Sequence, residues 1–73
     1  MIDIMKAVKA HAVGNIELHK TNIQVYLANP AGIGEHSDIV EAVQSELDKM
    51  IIHCDRLSAM ELFLDTEETE TIN

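Results

Sequence analysis

An all-α fold is what this 73-residue sequence predicts: an antiparallel two-helix hairpin that self-associates into a four-helix bundle. Three observations predict it. The only proline, Pro30, and two of the three glycines, Gly32 and Gly34, fall within a few residues of one another. On either side of them apolar residues recur at threes and fours, the spacing of one helix face. Finally, the chain is 47% hydrophobic, more than two paired helices can cover.

The first helix is expected over about residues 3–28. Met5, Ala12, Ile16, His19, Ile23 and Tyr26 form its stripe, with Val8 beside them. Asp3 in the first turn suits the positive end of the helix dipole. Gly14-Asn15 and Thr21-Asn22 weaken the pattern, and residues 23–27 could alternate as a strand. The helix reading is preferred because the stripe continues without a change of phase, and a lone strand would have no partner. The residue before a proline is pushed out of the α region, so the helix must end before Pro30.

The turn is expected over residues 29–36, with Gly32 and Gly34 free to adopt positive φ. The second helix follows over about residues 37–64. Asp38 and Glu41 have capping-box spacing, and the first turn is rich in negative charge. His36, Val40, Val43, Leu47, Met50, Cys54, Leu57, Glu61 and Leu64 alternate at fours and threes, close to a heptad seam. Ile51, Met60 and Phe63 fall outside that seam, on the flank or exterior of a single hairpin. Together with Leu57 and Leu64 they are the expected oligomer interface, a dimer being the simplest case. The domain therefore spans residues 1–64, and residues 65–73 form an acidic tail.

Size points the same way. A chain this short buries only about 60% of its unfolded surface, so its stability is marginal without help. Cys54 is the one cysteine, which rules out an internal disulfide and suits a reducing compartment. Oligomerisation is the remaining common remedy. No uninterrupted apolar run approaches membrane-spanning length. The net charge of −8 argues against a nucleic-acid or anionic-membrane surface, because both need Lys and Arg. The charge is also unevenly divided. Residues 1–34 carry Lys6, Lys9 and Lys20 against Asp3 and Glu17, whereas residues 35–73 carry eleven acids against Lys49 and Arg56.

Chemistry-bearing motifs are few, and no catalytic residue and no cofactor are expected. Ser37, Ser45 and Ser58 lack the histidine and third group of a hydrolase. Gly32-Ile33-Gly34 has no following lysine-serine or lysine-threonine pair, so it is a turn and not a phosphate loop. Folding the chain about residues 32 and 33 brings Tyr26 near Val40, His19 near Leu47, and His11 near His53 and Cys54. That last trio is a metal candidate. However, adjacent His53 and Cys54 point about 100° apart, so the reading as a polar rim and a buried small thiol is preferred. A di-iron centre needs Glu-x-x-His, which neither Glu17-Leu18-His19 nor Glu35-His36 supplies. His19, inward on the stripe, would bond Asn15 one turn earlier or Glu46 across the hairpin. On that reading His19→Leu should be tolerated.

The run Asn29-Pro30-Ala31-Gly32-Ile33-Gly34-Glu35-His36-Ser37-Asp38-Ile39-Val40-Glu41-Ala42-Val43 resembles a segment of short uncharacterised proteins from tailed phages of marine bacteria, especially cyanobacteria. Asn15-Ile16-Glu17-Leu18-His19-Lys20 is similar in the same way, and the resemblance covers residues 11 to about 50. It implies a phage or marine metagenomic origin and no particular activity. Residues 51–64 depart from it by being more apolar. Three function classes follow. The first is a non-enzymatic assembly protein, a virion component or an accessory protein in the host cytoplasm, meeting phage or host proteins. The second is an acidic regulator covering a host protein's basic surface. The third is a metal-binding bundle using His11, His53 and Cys54.

Overall fold

The structure is a computed structural model that describes the backbone of residues 2–28 and 36–72, and side chains over 3–28 and 38–66. Two helices, α1 (Ile2–Ala28) and α2 (His36–Ile72), pack along each other as an antiparallel hairpin. Pro30, Gly32 and Gly34 lie outside the described residues. The body is elongated, 58 × 19 × 13 Å between Cα extremes.

α1 runs unbroken through Gly14 and Thr21-Asn22. A Cβ added at Gly14 would meet nothing within 4 Å, so the glycine accommodates no close neighbour and the helix simply tolerates it. Asn15 turns its amide back onto the His11 carbonyl at 2.8 Å, a bond made within the helix. α2 continues beyond Leu64, through the residues expected as a separate acidic tail, as far as Ile72. Glutamate is a good helix former, and Glu67, Glu68 and Glu70 extend the helix with no Gly or Pro to stop it. Thr66 adds a bond from its hydroxyl to the Leu62 carbonyl at 2.9 Å.

The less exposed residues of each helix fall on a heptad lettered a to g. In α1 the a and d positions are Met5, Val8, Ala12, Asn15, His19, Asn22 and Tyr26. In α2 they are Ile39, Val43, Glu46, Met50, His53, Leu57 and Met60. This corrects the expected seam of α2 at every d position. Val40, Leu47, Cys54 and Glu61 are exposed, whereas Ile39, Glu46, His53 and Met60, each one residue earlier, face α1. Met60 is therefore half-buried in the hairpin rather than outside it. The physical reason lies in α1, where Asn15, His19 and Asn22 occupy three successive seam positions. Burying these groups is unfavourable unless they find polar partners. Glu46 supplies a partner to both His19 and Asn22, and His53 stacks its ring on His19, where Leu47 and Cys54 could do neither; Asn15 bonds His11 within α1.

The seam makes little dry core. Ala12 is the one buried apolar residue among those described, and none of the large side chains there is fully buried.

Candidate functional site

The centre of the hairpin is a polar layer. His19 on α1 and Glu46 on α2 are 9% and 6% exposed, the least accessible polar residues described. His19 Nδ1 lies 2.8 Å from Glu46 Oε1, and Asn22 Nδ2 donates to the same oxygen at 2.9 Å. The two donors sit one helical turn apart on α1, so they converge on a single acceptor. The Asn22 bond, then the His19 bond, hold the Glu46 carboxyl below its ordinary value, helped by the charges of Lys49 and His19 and opposed by burial. An ionised carboxylate can only accept, so the hydrogen of the short contact belongs to His19 Nδ1.

A second polar layer lies towards the free ends. The His53 ring stacks at 6.2 Å from that of His19, the planes 19° apart, and meets His11 edge-on at 5.9 Å. Arg56 Nη1 donates to His53 Nδ1 at 3.2 Å, which leaves the other ring nitrogen of neutral His53 to carry the proton. Partial burial, then the charge of Arg56, then those of His11 and His19, hold the His53 ring below the ordinary histidine value. Asn15 approaches His11 Nε2 at 3.4 Å, so three of the four histidines belong to one connected column. Each described buried side-chain nitrogen or oxygen has a hydrogen-bond partner. The layer is thus a satisfied structural network.

His11 and His53 meet as the sequence suggested, but Cys54 is exposed and outside the column. Among the described residues no group of three or more His, Cys, Asp or Glu side chains could hold a metal ion. The reason is visible in the bonding: the two His53 neighbours present ring faces and edges, and Glu46 is committed to two donors. A shallow open groove beside the column is lined by Ala7, Val8, His11 and Arg56. No described helix is long and apolar enough to cross a membrane.

The other feature of note is apolar exposure. Ile4 and Leu27 are 64% exposed and Leu62 is 68%, and further large aliphatic side chains on both helices are also open. Of the expected interface residues, Ile51, Phe63 and Leu64 are exposed, whereas Leu57 and Met60 are half-buried against α1. Sequence reasoning named Glu46 as a partner for His19. It missed Asn22 and Arg56. Three polar residues in succession on the α1 stripe were the available signal for a polar run on α2. No protein-family model, curated protein or solved structure matches this chain.

Proposed function

We propose that this chain is a non-enzymatic assembly protein whose hairpins pair with copies of themselves, most simply as a dimeric four-helix bundle. One observation carries the reading: the hairpin exposes large aliphatic side chains along both helices, while Ala12 is the one buried apolar residue among those described. Side chains of that size forgo about 1.5–3 kcal/mol each when left in water. A chain of this length has no second core to compensate, so sharing one between copies is the economical solution. The polar network is consistent with this role. Glu46 takes hydrogen bonds from both His19 and Asn22, which ties the two helices together at mid-length. The resemblance of residues 11 to about 50 to proteins of marine phages supports a phage setting, as a virion component or an accessory protein in the infected host.

Sedimentation equilibrium with circular dichroism across a wide concentration range tests the assembly. The expected result is a mass of twice 8.1 kDa and a thermal midpoint that rises with concentration, because association stabilises the folded state by mass action. A fully helical species of 8.1 kDa with a concentration-independent midpoint would overturn it.

A second reading rests on the exposed acids Glu41, Asp48 and Asp55, seven residues apart in one column of α2. That row suits a basic protein surface. Binding through it would weaken steeply with salt, whereas apolar self-association would not.

A further inference from the structure

Resting on the assembly reading, the geometry points to one side of the hairpin as the surface that meets the second copy: the side formed by the e positions of both helices. We infer that Ile16 and Ile23 of α1 and Val40, Leu47 and Cys54 of α2 line the seam between two hairpins. Ile51 stands at its shoulder.

The first argument is topological. A helix in a bundle is apolar at a, d and one further column, e or g, whereas a simple pair needs only a and d. Here the third apolar column is e in α2: Val40 is 55% exposed, Leu47 is 44%, and Cys54 is open. In α1 the e column holds Lys9 at its start and then Ile16 and Ile23, the two isoleucines half-buried at the edge of the seam. Reversing one helix of a pair exchanges its flanks, so antiparallel packing sets e beside e and g beside g. The groove shared by His11 and Arg56, both at g, shows that this pairing of flanks holds here. From Ile16 to Ile23 and from Val40 to Cys54 the two e columns therefore form one apolar face, which no described element of the hairpin covers.

The second argument is charge. Two copies of a −8 chain must meet where their acids do not. Glu17, Glu41, Asp48 and Asp55 all fall at f, on the far side of their helices from the seam. The g flank of α2 carries Lys49 and Arg56, whereas its e flank is uncharged from Val40 to Cys54. An uncharged aliphatic face on a strongly acidic chain is the surface on which an identical molecule can dock without bringing like charges together.

The third argument is area. The chain exposes 5616 Å², whereas a compact monomer of 8.1 kDa exposes about 4500 Å² by the usual scaling. The difference is comparable with the roughly 800 Å² that each partner contributes to a stable interface. The long overhang of α2 accounts for part of that surplus, and the e face is the uncharged part lying along the paired region.

Two measurements test the inference separately from the assembly reading. First, Leu47→Lys with Ile51→Lys should reduce the sedimentation mass from twice 8.1 kDa to 8.1 kDa, while Ile52→Lys with Leu62→Lys, on other faces of α2, should leave it unchanged. Both double variants make the same change in net charge, so dissociation confined to the first pair cannot be attributed to net charge. Second, the wild-type protein reports through its own thiol, which covers the case in which the Leu47 variant fails to fold. Cys54 is open in the hairpin, so maleimide should label it rapidly in dilute monomer and many-fold more slowly once the dimer forms. Asp48→Cys in a Cys54→Ser background should show no such dependence. If the wild type is monomeric throughout, the assembly reading fails. If it is a dimer whose Cys54 reacts at the same rate at every concentration, or whose mass survives Leu47→Lys with Ile51→Lys, the e face is not the interface.

Discussion

Glu46 receives His19 Nδ1 at 2.8 Å on the same carboxylate oxygen that accepts the Asn22 amide, so one atom of α2 joins two side chains of α1. The bond spans the hairpin between its two least exposed described polar residues. A buried polar group with partners and the same group without them differ by more than the worth of one hydrogen bond.

Single and triple replacement of this network should therefore give opposite results. Asn22→Leu is expected to destabilise by about 1 kcal/mol, the net worth of a typical hydrogen bond. His19→Leu should destabilise as well, because Glu46 keeps one donor where it had two. This reverses the tolerance that the apolar stripe of α1 suggests when read alone. Glu46→Leu leaves both donors without their acceptor. The triple change His19→Leu, Asn22→Leu, Glu46→Leu should match or exceed wild-type stability, since replacing a whole buried polar set by apolar residues is often neutral or favourable. Chemical denaturation of the four variants checks this, and a triple variant weaker than every single one would contradict it.

Acid should lower the stability of the fold in two steps. His53 is held below its ordinary value, so the unfolded chain takes up that proton first as the pH falls. Stability present at neutral pH is thus lost on descending from about 6.5 towards the folded value. Glu46 is likewise held down, and its contribution is lost from its ordinary 4.5 downwards. Thermal midpoints across this range should be level near neutrality and then fall. In His53→Leu the upper step should vanish while the lower one remains. A wild-type midpoint that is constant down to the carboxylate range would refute the upper step.

Gly14→Ala should stabilise. The position is helical, and the added Cβ meets open space. Alanine is favoured over glycine in a helix interior by about 1 kcal/mol. The thermal midpoint should rise with mass unchanged, since Gly14 lies at a c position, away from the e face. A lower midpoint would mean that something packs over Gly14 in the assembled state.

The two helices and their pairing were legible because the apolar stripes persist over many turns on either side of a short stretch holding Pro30, Gly32 and Gly34, residue types that interrupt helices. The level at which His19 meets α2 was also legible to within one residue. The phase of α2 was not. Val40, Leu47 and Cys54 are its most regular apolar column, and a reading weighted by hydrophobicity centres the seam there. Glu46 displaces that column because His19 and Asn22 need an acceptor more than the seam needs leucine, and His53 follows one heptad later, stacked on His19. The length of α2 escaped notice for a different reason. A run of Glu and Thr carries no apolar periodicity, so it resembles a tail whether or not its backbone is helical.

The long axis of 58 Å, about three times the next, determines which experiments can weigh this molecule. Peptide N–H bonds in both helices lie close to that axis. Amide relaxation will therefore follow slow end-over-end tumbling, and a single hairpin will relax like a heavier sphere. A gel-filtration column sorts by hydrodynamic radius and will overstate the mass in the same direction. Elution position and linewidth would each suggest a dimer even for one chain. Stoichiometry has to come from equilibrium sedimentation or light scattering, which register mass whatever the shape.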